Sequence, residues 1–337
     1  MFLKESQKYI QDSDLNITEV FNNSITGNVN VINTFDGYLK IFGDEFLNAI
    51  KSMVVILIII VIHSVLKSII ENLGNDSTAT VTYFIQYLII VTIVINTFTD
   101  SIEIVKNSIL NIVSYMNLYA PILLTLMLAS GSLVVSSTSE MILLFAINLI
   151  GNILENFIIP LIFISTVLSI VSNFSSKIHL SRLSKFFKSA TMWILGIILT
   201  IFICVLSVEG TLGNSIDNFT AKTSKAAVST FIPVVGKVMG DSVDSILGSI
   251  NILKNSVGII GVVILVSIVL FPIIKVSILW IIIKMIAAIC EIIADESIVK
   301  LFDEIADSYK VLFGVLVSVS GMFIIGITLI LRMTSTV

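Results

Sequence analysis

Long uninterrupted apolar runs, separated by short polar stretches, dominate this chain. Runs near the roughly 20 residues that cross a 30 Å apolar slab as a helix occupy 46–66, 81–98, 118–135, 141–171, 190–208, 257–293 and 311–331. None alternates with the period of a barrel strand, and backbone polar groups inside lipid must be satisfied internally. The pattern therefore predicts an all-α, polytopic integral membrane bundle. Two runs, 141–171 and 257–293, are far too long for one perpendicular span. Each is expected either to fold back as a tight hairpin or to run on as one long broken helix.

Other stretches read differently. Residues 1–45 carry seven acids and three lysines with little periodicity, which predicts a polar tail with one short amphipathic helix near 31–46. No cleavable leader is expected, because the first long run lies too deep in the chain. Within 215–254, Val235, Met239, Val243, Ile246, Ile250 and Leu253 form an apolar stripe at steps of three and four, with Lys237, Asp241 and Asp244 on other faces. That segment is expected in the membrane interface, or dipping into the bilayer under cover of other helices.

Composition strengthens the membrane assignment. The chain is 56% hydrophobic and 12% charged, against about 25% charged in soluble domains. Net charge is −4, and no basic run suggests nucleic acid as a partner. Cys204 and Cys290 sit in apolar runs and read as small hydrophobes. Orientation follows the basic loop 172–189, where Lys177, Arg182, Lys185 and Lys188 occur without acids. The excess of basic residues in cytoplasmic loops makes them the topology anchor and places the loop in the cytoplasm.

The prolines suggest a repeat. Pro121 and Pro160 are 39 residues apart, as are Pro233 and Pro272, and the two pairs are offset by 112. Met127 and Met239, Ser130 and Ser242, and Ser165 and Ser277 agree at that offset. An internal duplication is expected, with proline breaking helices at matching depths. The organisation that follows is a tail over 1–45, two leading spans over 46–110, a first repeat over 111–210 and a second over 211–337.

Ionisable residues inside apolar runs are the natural candidates for function. Glu155, between two apolar halves, reads as an ion or proton site, as a contact to a partner helix, or more simply as the exposed turn of a hairpin. Lys275 reads as the matching turn, and Lys284 as a snorkelling side chain or the partner of an acid such as Glu291. Gly236 and Gly240 form a GxxxG suited to close helix contact. No P-loop, HExxH or CxxC is present. His63 and His179 lie in no recognisable catalytic setting, so no enzyme, cofactor or metal is expected.

Several of these stretches together resemble the stage III sporulation protein AE family of endospore-forming bacteria. They are the run from Ala120 and Pro121 to Gly131, the run from Ile159 and Pro160 to Ser172, Phe231 to Gly236, Leu253 to Gly261, and Phe271 to Lys275. The resemblance implies a non-enzymatic component of a channel or secretion-like complex in the mother-cell membrane around the forespore. It also implies partners: ring-forming proteins of the same operon, a secretion-type ATPase and the forespore membrane protein stage II Q. Relatives can begin with a cleavable signal peptide, which this chain does not show. A stand-alone secondary transporter with a midplane site between the repeats is the other reading.

Overall fold

The computed structural model describes residues 32–72, 76–130, 133–174, 180–231 and 235–333, although side chains at 32–41, 70–80, 133–140, 209–247 and a few single positions are not described. Every element is helical among the described residues: α1 (Ile32–Asn72), α2 (Asp76–Ala129), α3 (Leu133–Ile153), a π turn (Leu154–Ile158), α4 (Ile159–Phe174), α5 (Ser181–Phe231), α6 (Val235–Ile293) and α7 (Glu296–Met333). Six helical stretches are long and apolar enough to cross a membrane.

These helices are longer than the apolar runs alone suggest. The runs at 81–98 and 118–135 do not form two separate elements, because α2 continues unbroken through the polar residues between them and ends at Ala129. The physical reason is packing. Val105, Ile109, Ile112, Tyr115 and Tyr119 are buried along one face of that stretch, so the helix is held by its neighbours where its sequence is polar. The expected amphipathic helix near 31–46 is likewise the first part of α1 rather than an element of its own. Neither long run folds back. Residues 141–171 pass through the π turn as one rod, and 257–293 lie wholly inside α6. The segment 215–254 is shared between the end of α5 and the start of α6.

α6 and α7 form an antiparallel pair joined by a tight turn. Ala294 N–H donates to Cys290 O (2.7 Å), while Asp295 O accepts from Ile298 N (2.9 Å) and Val299 N (3.2 Å). Glu296 in the first turn of α7 complements the positive end of the helix dipole. At the far end of the pair, a Cβ on Gly258 would lie 2.4 Å from Leu331 Cδ1, so glycine permits the close approach. α5 runs parallel to α7: Lys188 reaches Glu304, Met192 packs over Gly314, and Phe202 packs over Gly326. α2 packs against α6 and α7, with Ser101 bonded to Tyr309 of α7 (3.1 Å) and Tyr115 to Gly261 O of α6 (3.4 Å).

Candidate functional site

Among the described residues, the π turn is the point where the helical pattern becomes irregular. Pro160 has no N–H and its ring crowds the carbonyl four residues back, which is that of Asn156. One turn earlier the helix widens, with Ile159 N–H donating to Leu154 O. Asn156 Nδ2 donates to Asn152 O at 3.2 Å, which supplies a side-chain donor at the widened turn. π turns of this kind recur at functional sites. Pro121 and Pro272, by contrast, lie inside α2 and α6, which continue through them. A proline removes one helical hydrogen bond, and a helix at membrane depth can carry that loss where neighbouring groups satisfy the freed carbonyl. Pro233 lies outside the described residues.

Glu155 sits in this widened turn, so it is not at the bend of a hairpin. Its partner is Lys106 of α2, 3.1 Å away, with the side chains 30% and 43% exposed respectively. Two further contacts hold α3 against α2. Asn117 and Asn148 exchange amide hydrogen bonds of 3.1 and 3.0 Å, and a Cβ on Gly151 would fall 2.8 Å from Val113 Cγ2. α4 is tied instead to α5, through Ser184 Oγ donating to Ser165 O (2.8 Å) and the Ser169–Ser184 hydroxyl pair. The π turn thus separates a rod fixed to α2 from a rod fixed to α5.

The other expected residues fall into different surroundings. Lys275 is inside α6 rather than at a turn. It pairs with Glu45 of α1 at 3.4 Å and lies 5.7 Å over the Phe271 ring. Lys284 pairs with Asp303 of α7 at 2.6 Å. Glu291, the acid suggested by sequence, is exposed farther along the same helix. Of the topology anchor, Lys177 lies outside the described residues, and Arg182 and Lys185 are exposed. Lys188 is buried and donates to Glu304 O at 2.7 Å. The Glu304 Oε2 atom is buried without a hydrogen-bond partner. Gly236 and Gly240 lie in α6, in the part whose side chains are not described, and so does the contact expected of them. The side chain of His63 and all of His179 also fall outside the described residues. Cys204 is exposed on α5 and Cys290 buried on α6, both as free thiols.

Sequence reasoning missed Lys106 and the tyrosine pair. Tyr115 and Tyr119 stack at 5.6 Å, and Tyr119 Oη donates to Val257 O (3.3 Å). Their spacing of four on α2 was the available signal. Lys106 sits between the apolar runs and reads as a loop residue until the helix is seen to be continuous.

Six long apolar helices, tied by buried hydroxyls and a few ion pairs, define a polytopic helical membrane protein. The comparisons narrow this class. The model of the family described as stage III sporulation protein AE matches residues 15–334. The stage III sporulation protein AE of Bacillus subtilis (strain 168) is 33% identical over 276 residues, covering 82% of this chain and 69% of that protein. The chain belongs to the stage III sporulation protein AE family, and its role is in sporulation. No solved structure matches it.

Proposed function

We propose that the protein is a non-enzymatic scaffold of a sporulation channel or secretion-like complex in the mother-cell membrane facing the forespore. Its partners in this reading are the ring-forming proteins of the same operon, a secretion-type ATPase and the forespore membrane protein stage II Q. The observation that carries the reading is helix length. The 59 residues of α6 extend about 88 Å at 1.5 Å per residue, nearly three times the roughly 30 Å hydrocarbon core of a bilayer. Rods that overshoot the bilayer offer surface to other proteins. A stand-alone transporter is less well supported, because Glu155 pairs with Lys106 at the surface rather than facing a repeat mate across a cavity.

Duplication belongs to the same proposal. α4 and α6 both run toward the end that carries the tight α6–α7 turn and the start of α5, and α5 and α7 both run away from it. A repeat with offset 112 would therefore be parallel. The test is co-purification of the tagged chain from sporulating cells, followed by mass spectrometry. Recovery of ring proteins and the ATPase supports the scaffold. Recovery of this chain alone, stable and monodisperse, overturns it.

A further inference from the structure

The exposed face of α2 changes character along its length. Near its start the exposed residues are Val81, Phe84, Ile85, Leu88 and Ile89. Between 90 and 117 every exposed residue is polar: Thr92, Asn96, Thr99, Asp100, Glu103, Asn107, Asn111 and Ser114. Steps of three and four place them on one stripe. From Asn96 to Ser114 that stripe extends about 27 Å, close to the depth of a hydrocarbon core. On its flank lie Asn152 and Asn156 of α3 and the π turn, both exposed.

The depth of the stripe is fixed by its neighbours. Ser101 is bonded to Tyr309 and Tyr115 to Gly261 O, so the stretch runs from the charged start of α7, where Asp307 and Lys310 are exposed, into the depth of the apolar parts of α7 and α6. At comparable depth, α5 presents Trp193 (71% exposed) and Ile197 (54%) and the π turn presents Phe157 (54%), side chains suited to lipid. From Asn107 to Ser114 the stripe is therefore a polar face at a depth where α5 and α7 expose apolar residues such as Ile197 and Val317.

Thr92 and Thr99 return their hydroxyls to Leu88 O and Ile95 O of their own helix and would tolerate lipid. Glu103, Asn107 and Asn111 are different, because no side-chain partner is described for them among the described residues. Carboxylates and amides left so in hydrocarbon are costly, and such residues in membrane proteins face a bundle interior or a water-filled cavity.

We infer that the 96–114 face of α2, with Asn152 and Asn156, is the wetted wall of an aqueous path through the assembled complex. Asp100, Glu103 and Glu155 outnumber Lys106, so the wall attracts small hydrated cations and admits neutral polar solutes ahead of anions. One face encloses nothing alone; the remaining wall comes from other subunits. This deepens the channel reading and rests on it for what the path connects.

The test is thiol labelling in membranes from sporulating cells. Single cysteines replace Asn107, Asn111 and Ser114, with Trp193 and Ile197 as lipid-facing controls at similar depth. The background carries Cys204→Ser and Cys290→Ala. The probes are membrane-impermeant cationic and anionic methanethiosulfonates. All three stripe positions are expected to label and both controls to stay unlabelled. The cationic reagent should react several-fold faster than the anionic one at Asn107→Cys, a preference lost in Asp100→Asn with Glu103→Gln. Stripe positions protected in the complex but reactive in the purified chain would show a protein partner on this face and overturn the wall, leaving the scaffold intact. Labelling equal to that of the controls would also overturn it. Labelled stripe positions with no co-purifying subunits would keep the wall and remove the partner set proposed above.

Discussion

Lys106 on α2 and Glu155 in the π turn form an ion pair of 3.1 Å that joins the polar middle of one helix to the one irregular turn of its neighbour. Reversing either charge would set two like charges side by side in place of the pair. Lys106→Glu is therefore expected to lower the yield of folded protein, and Glu155→Lys likewise. The double exchange should restore much of what either single change loses, because the pair is re-formed with reversed sign. Size-exclusion profiles and thermal midpoints in detergent give the comparison; additive losses in the double variant would show that the pair does not couple the helices.

Gly261 offers a sharper steric test. A Cβ there would lie 2.2 Å from Tyr119 Cζ, whereas one on Gly321 would meet nothing within 4 Å. Tyr119 is fully buried and stacked on Tyr115, so its ring has little room to yield. Gly261→Ala should destabilise the protein by about 1–3 kcal/mol, and Gly321→Ala should leave the thermal midpoint unchanged or slightly raised. Equal behaviour of the two would contradict the close α2–α6 packing.

Deleting Asn156 removes the surplus residue of the π turn. An ordinary α-helix through this point would rotate α4 by about 100° and shift it about 1.5 Å relative to α3. The Ser169–Ser184 and Asn117–Asn148 contacts could not then both persist. Loss of spore formation with normal membrane levels of protein is expected. Pro160→Ala, which relieves the ring clash, should give a milder form of the same defect, and Pro272→Ala little effect, since α6 already continues through Pro272. Full spore formation in the deletion variant would rule out a role for the widened turn.

Lys188 is the buried cation of the α5–α7 contact. Lys188→Met removes the donor to Glu304 O and leaves the partly buried Glu304 carboxylate, whose Oε2 is fully buried, without its nearby positive charge. A loss of about 1–3 kcal/mol is expected, partly recovered by adding Glu304→Gln. A double variant no more stable than the single one would show that Glu304 does not depend on Lys188.

Periodicity and run length made the helical, membrane-spanning character readable, because lipid allows a chain like this few other solutions. The stretch 99–117 shows the limit of that logic. Its Asp100, Glu103, Lys106 and asparagines look like a connection when hydropathy alone is considered. The buried Val105, Ile109 and Ile112 on the opposite face are what keep it helical, and that face is defined only by the other helices packing on it. Glu155 stands out in the sequence as an ionisable residue between two apolar halves, but its surroundings are not legible there, since Lys106 is 49 positions earlier in the chain.

What the sequence determined by itself is the class of solvent around the protein: its apolar runs, its scarcity of charge and its family motifs follow from local composition. Only the tertiary structure decided which prolines interrupt a helix, which lysine meets which acid, and which face of α2 is left polar at membrane depth. Those outcomes depend on contacts between residues far apart in the chain, where packing, not local preference, sets the result.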